Sequence, residues 1–313
     1  MVPESEDLLA PRPAPSGRRR RDLCPGVLRP WPAADGGLVR IRLVGGRVGV
    51  ASLRRLGAAA AAYGDGDLWL TSRANLQIRG LSAPPAGTDH PIVAEIAAAG
   101  LLPSRSHDLV RNIMVSPQTG LAGGYADLRP YAERLDAALR SEAALAALPA
   151  KFCFVLDDGR GDLAGRRLDL GLVALAPDRC ALLVGNDRPD RGRRRLTRTI
   201  RLEEAVDALV RLAQRFLVRR GDGPGAAWHV DELDQPLIAA TADPVLSIPH
   251  TPAPPYGPIP GGLHLAVPEG RLTPELLTQL LDGLPDGTGH DLTHLVITPW
   301  HGVLLPRAEQ ERQ

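Results

Sequence analysis

One pattern occurs twice, once near each end of the chain. Near the N-terminus GLVRIR (37–42) is followed by Gly46-Arg47-Val48, a small-residue helical stretch, LWLT (68–71) and SRANLQI (72–78). Near the C-terminus GLHLA (262–266) is followed by Gly270-Arg271-Leu272, a helix-patterned stretch, LVIT (295–298) and PWHGVLL (299–305). Each copy reads strand, glycine turn, helix, strand, short turn, strand. The offset between copies drifts only from about 224 to about 227 residues, as changes in turn length produce. A βαβ unit cannot bury its apolar face alone. The two ends are therefore expected to close on each other, with everything between them inserted.

The 313 residues leave room for two domains of ordinary size. The 36 acidic side chains nearly cancel the 37 basic ones, so no global field attracts nucleic acid. The basic residues are uneven in kind: Lys151 is the sole lysine and every other cation is arginine. Cys24, Cys153 and Cys180 lie far apart with no C-x-x-C pair, too few for a disulfide scaffold and too scattered for structural zinc. No run approaches ~18 apolar residues. The N-terminus lacks a signal-peptide core, so no membrane partner is expected and the cytoplasm is the expected location.

Residues 1–22, rich in Pro and Arg, read as a disordered tail. The first repeat copy occupies 23–88, a central α/β domain 89–241, a proline-rich linker 242–260, the second copy 261–306, and a polar tail 307–313. In the first copy a helix is expected near 51–63. Within the central domain the patterns predict helices at 91–99, 126–140 and 202–218, and strands at 109–115, 151–156, 168–175 and 180–184. Asp157-Asp158-Gly159 has the composition of a hairpin turn.

Four places carry candidate chemistry. Arg73, after a buried-looking strand, sits in a turn where a guanidinium fork suits a carboxylate; the alternative is a surface arginine. Arg111-Asn112 inside an apolar strand costs free energy unless both groups are hydrogen-bonded or face a polar ligand; the alternative is an edge strand. Lys151 opens a strand in LPAKF, where a compact ammonium is used in place of the usual fork, or has survived by chance. His301 holds the place in the second copy that Ala74 holds in the first, as a proton donor, an anion partner or a surface histidine. Gly120, Gly123 and Gly124 form a glycine loop with neither Walker nor dinucleotide spacing. His229 with Asp231 and Glu232 is set aside as a metal set, because neighbours on an extended chain point opposite ways.

TSRANLQIRG (71–80), RNIMVSP (111–117) and LPAKF (148–152), in this order within the terminal repeat, resemble the three anion-binding signatures of the sulfite/nitrite reductase superfamily. CPGVLRPWPAADGGLVRIRLVGG, LPAKFCFVLDDG and ITPWHGVLLP are similar to its precorrin-3B synthase branch in cobalamin biosynthesis. The resemblance covers about residues 23–306. It implies an α+β fold in which two ferredoxin-like half-domains pair into one domain around an inserted α/β domain. It implies an oxidoreductase that hydroxylates precorrin-3A with O2 and a reductant and forms a lactone. Carried over, Arg73, Arg111 and Lys151 would hold the carboxylates of an acidic tetrapyrrole, with Asn75 and Asn112 in support and His301 at the same cleft. The cofactors implied are a 4Fe–4S cluster, non-haem iron and a reduced nicotinamide or other reductant. Sulfite-reducing relatives carry a second cation two residues after the lysine; Cys153 stands there instead. The cluster cysteines of the family follow the second half-domain. They are not among the three cysteines here, which leads to the expectation of a separate cluster-bearing polypeptide, or of a binding protein without chemistry of its own.

Overall fold

Alternation decides the first strands. In Gly36–Ile41 (β2), Val39 and Ile41 point to one face and Leu38 and Arg40 to the other. The computed structural model describes residues 24–83, 89–186, 196–238, 250–283 and 293–307. The tail 1–22, residues 242–249 of the linker and residues 308–313 lie outside them. The first half-domain consists of Trp31–Ala33 (β1), β2, Arg47–Gly49 (β3), Val50–Tyr63 (α1), Leu68–Leu70 (β4) and Leu76–Leu81 (β5). On α1, Leu53, Leu56, Ala59 and Ala60 form the buried stripe, and each fully buried leucine contributes about 1.5–3 kcal/mol. The alanines let the helix lie close to its sheet.

Next comes Ile92–Ala98 (α2), whose Ile92, Val93 and Ile96 join the core around α1. Ile113–Val115 (β6), Arg129–Ser141 (α3), Phe154–Asp157 (β7), Leu170–Ala176 (β8), Arg179–Val184 (β9), Leu196–Arg201 (β10) and Ala205–Arg219 (α4) follow. The sheet of the central domain runs β10-β9-β8-β7-β6, with β6, β7 and β8 parallel and β8, β9 and β10 antiparallel. Phe154, Leu156, Leu170, Leu172 and Leu182 face α3 and α4 in the larger core. Cys153, Val155, Val173 and Leu183 face the other way, where Trp300 packs on them.

Two strand expectations need correction. Residues 109–112 are not strand, because Val110 N–H turns back to the His107 carbonyl and Arg42 takes the Asp108 carbonyl. Arg111-Asn112 therefore precedes β6 rather than interrupting it. Lys151 likewise precedes β7, as the Phe152 N–H closes a turn onto Pro149. Asp157-Asp158-Gly159 joins no hairpin, since β7 and β8 are parallel. The Asp157 carboxylate instead accepts from the N–H groups of Gly159, Gly161 and Leu163 and shapes a loop.

The second half-domain comprises Gly257–Ile259 (β11), Gly262–Ala266 (β12), Arg271–Leu272 (β13), Pro274–Asp282 (α5), His294–Thr298 (β14) and Gly302–Pro306 (β15). Strand β11 falls within the stretch read as linker and takes the place of β1. The halves exchange a strand: one sheet runs β1-β2-β5-β4-β13 and the other β11-β12-β15-β14-β3. Each half thus completes the sheet of its twin, and Leu277, Leu280 and Leu281 of α5 share one core with Leu53 and Leu56 of α1. The same φ values recur in both copies, at Gly46 (73°) and Gly270 (70°) and at Ala74 (55°) and His301 (60°). Among the described residues no helix is long and apolar enough to cross a membrane.

Candidate functional site

The three signatures meet where the first half-domain touches the central domain. Asn75 and Asn112 are both buried, and Asn75 Nδ2 donates to Asn112 Oδ1 at 3.4 Å. Asn75 Oδ1 accepts from Leu43 N–H at 2.9 Å. Asn112 Nδ2 donates to the carbonyls of Ala150 (2.8 Å) and Phe152 (3.2 Å), which flank Lys151. The asparagines thus tie the turn carrying Arg73 to the loop carrying Lys151. Lys151 itself is exposed and Arg73 half-buried.

Arg111 turns away from this junction. Its Nε donates to Asp136 Oδ1 on α3 at 2.5 Å, and Arg140 Nε meets the other carboxylate oxygen at 2.9 Å. The guanidinium lines a cleft of about 830 Å³ between β3 and α3, with Arg42, Arg47, Arg129 and Glu133 among its neighbours. His301 is exposed in the turn before β15 and does not line that cleft.

The outer face of the first sheet carries cations that motif reading passes over. Arg40, Gln77, Trp69 and Arg271 form one row in register across β2, β5, β4 and β13. Arg79 donates to Gln77 Oε1 at 3.2 Å, and its guanidinium lies 4.5 Å from the Trp69 ring. The buried Nε atoms of Arg40, Arg42 and Arg79 have no hydrogen-bond partner within the protein. Burial lowers the pKa of Arg40, and that of Arg42 to about 10, and the Arg73 charge adds to both effects. The Asp108 charge offsets part of this at Arg42, and the remaining positive charge of the face is costly without an anion. The corresponding row of the second sheet reads His264, Leu304, Val296 and Arg47. Comparing VRIR with LHLA and LQIR with VLLP, copy against copy, is the signal that exposes this asymmetry.

Behind the junction, Asp169 accepts from the N–H groups of Cys153 (3.0 Å) and Val230 (3.1 Å). Burial raises its pKa to about 8 and that of the Cys153 thiol to about 11, so position 153 carries no charge at neutral pH. The 3-10 turn Val230–Glu232 brings Asp231 back onto His229, whose Nδ1 lies 3.4 Å from the Asp231 carboxylate. These side chains converge, contrary to the extended-chain reading. The ring is used internally, with Nε2 at 2.9 Å from the Leu168 carbonyl, and burial lowers its pKa to about 4.

Ser116 donates to Asp162 Oδ1 at 2.8 Å, while the buried Oδ2 has no partner. Burial, then the charge of Asp157, raises the Asp162 pKa to about 7. Folding therefore favours the protonated acid. The stability this confers is full below about pH 4 and is lost as pH rises to about 7, on the order of 4 kcal/mol. In Asp162→Asn the decline in stability between pH 4 and 7 is expected to flatten. Urea titrations across that range, with an unchanged slope in the variant, would assign the pH dependence elsewhere.

The iron centres implied by the resemblance do not fit the groups described. A 4Fe–4S cluster takes four thiolates. The chain has three cysteines, all buried, with Cys153 and Cys180 on opposite faces of the central sheet. Among the described residues no group of three or more His, Cys, Asp or Glu side chains is arranged to hold a metal ion.

Residues 32–84 match the nitrite/sulfite reductase ferredoxin-like half domain. A precorrin-3B synthase from Sinorhizobium sp is 34% identical over 161 residues, 50% of this chain and 33% of that protein. The NirA protein of Mycobacterium tuberculosis shares the fold, with a TM-score of 0.60 at 18% identity, over 86% of this chain and 54% of NirA. The matched part thus spans a third of the curated relative and about half of NirA. The chain carries a nitrite/sulfite reductase ferredoxin-like half domain within a NirA-like α+β fold and is related in sequence to precorrin-3B synthase.

Proposed function

We propose that this chain is the tetrapyrrole-binding frame of a precorrin-3B synthase-type oxidoreductase of cobalamin biosynthesis. The observation that carries the reading is the cationic face of the first sheet. There Arg40 and Arg79 lie half-buried with Arg73, whose charge acts on Arg40, next to the place where the three signatures meet. An acidic macrocycle would balance the positive charge that the half-buried Arg40, Arg73 and Arg79 gather there. Arg73 and Lys151 hold its carboxylates, Asn75 and Asn112 keep their two loops in register, and His301 stands in the equivalent turn of the other half. Arg111 serves the same site only by leaving Asp136 or through the cleft it lines.

The proposed reaction hydroxylates precorrin-3A with O2 and closes a lactone. The two electrons that reduce the second oxygen atom to water would come from a reductant; the described residues hold no ligand set for the iron centres the family uses. A cluster-bearing polypeptide as partner and a cytoplasmic location belong to the same proposal. The three-cysteine count favours, as a second reading, a binding subunit that performs no chemistry alone. The neutral thiol of Cys153 disfavours sulfite reduction, since sulfite-reducing relatives carry a cation there.

Uroporphyrin, an octacarboxylic tetrapyrrole, serves as the probe. The wild-type chain is expected to quench its fluorescence saturably. Arg73→Ala and Lys151→Ala should each weaken binding about tenfold or more, since a charge-assisted hydrogen bond contributes about 1.5–3 kcal/mol. Absence of saturable binding, or unchanged affinity in both variants, refutes the reading.

A further inference from the structure

We propose that Arg166 is a positioning residue seated on the pseudo-two-fold axis, where one guanidinium fixes both equivalent turns of the paired half-domains to the central domain. Its Nη1 donates to the Ser72 carbonyl at 3.5 Å and its Nη2 to the Pro299 carbonyl at 3.2 Å. Those carbonyls are equivalent under the repeat. Each follows a threonine whose hydroxyl accepts from the last N–H of its turn, Thr71 from Asn75 and Thr298 from Gly302, both at 3.1 Å. Each turn then passes through one left-handed residue, Ala74 or His301. A group that donates to both carbonyls from a third domain must sit between the two copies.

The residue type suits the task. A guanidinium presents donors on two separate nitrogens of one rigid plane and stacks on aromatic rings, whereas an ammonium does neither. Arg166 lies 5.5 Å from the centroid of the Trp300 ring, and Trp300 in turn packs on the central-sheet face that holds Cys153. The Trp300 carbonyl accepts from Tyr256 Oη at 2.5 Å, which ties the same turn to the segment before β11. On the central-domain side, the loop that Asp157 shapes through three N–H bonds precedes Arg166, and the Asp162 carboxylate acts on it electrostatically. Arg73 and His301 are thus held relative to Lys151 by a residue that touches none of them through a hydrogen bond.

The role in ligand binding rests on the tetrapyrrole reading; the clamping of the turns does not, so two readouts separate them. In the ligand-free full chain, Arg166→Ala is expected to speed amide exchange about tenfold at both 71–75 and 298–302, with β7 and β8 unchanged. Arg166→Lys, which keeps charge and stem, should loosen both turns as well and guards against a misfolded alanine variant. With uroporphyrin, Arg166→Ala should weaken binding about tenfold, yet less than about twofold in an Arg73→Ala background, because it acts through the turn that Arg73 occupies. Unchanged exchange, or loosening of one turn alone, overturns the clamp. Fully additive affinity losses overturn its action through Arg73. If the wild-type chain binds no uroporphyrin, the functional reading fails and the exchange data alone decide the clamp.

Discussion

Gly46→Ala is expected to lower stability by about 3 kcal/mol or more, a fall in Tm of roughly 6 °C or more. Gly46 has a φ of 73°, which disfavours any side chain, and an added Cβ would overlap the Ile297 carbonyl oxygen on β14. That carbonyl belongs to the other half-domain, so the clash falls on the strand exchange itself. Gly270, the equivalent residue, would place a Cβ 3.0 Å from the Leu70 carbonyl and 3.2 Å from the His301 ring. The ring can rotate away, so Gly270→Ala should cost less. Gly100→Ala is the control: its φ is 75° and nothing lies within 4 Å, so it isolates backbone strain from overlap. Thermal unfolding of the three variants checks the order. Equal losses in Gly46→Ala and Gly100→Ala would mean that the halves can part enough to admit a methyl group.

Asp136→Ala should cost about 3–5 kcal/mol, because it strands a buried cation. The carboxylate lies between Arg111 and Arg140; its side chain is 9% exposed and that of Arg111 is 7% exposed. Little water reaches Arg111 to replace the lost partner. Arg111→Ala should cost less, since Asp136 keeps Arg140, which is partly solvated. Urea denaturation of both variants measures the difference, and a loss within about 1 kcal/mol for Asp136→Ala would show that Arg111 finds another partner in the adjoining cleft. The comparison also bears on ligand binding: any weakening in Arg111→Ala must be judged against the stability it removes.

Much of the architecture was legible in the chain because it depends on period and repetition. Period-two alternation in VRIR and LHLA, the alanine stripe of α1 and the apolar stripe of α4 each place an element from local residues alone. The resemblance carried by three short segments, in order, pointed to the half-domain family whose model matches residues 32–84. What local pattern missed was pairing at a distance. Arg47–Gly49 and Arg271–Leu272 are too short to announce themselves as strands, and only their partners in the opposite half make them so. Residues 109–112 and Lys151 read as strand from apolar neighbours, yet turns claim their backbone hydrogen bonds.

By itself, then, the sequence determined the repeat, the helices with a clear apolar face, and the residue types able to grip an anion, because propensity and periodicity act within a few residues. Only the tertiary structure decided where those cations point. Arg111 meets Asp136 twenty-five positions away, Asn75 meets Asn112 across the domain junction, and Arg166 reaches one carbonyl in each half. Such contacts are set by burial, which leaves a charged or amide group no choice but the nearest complementary partner in space, however distant it is along the chain.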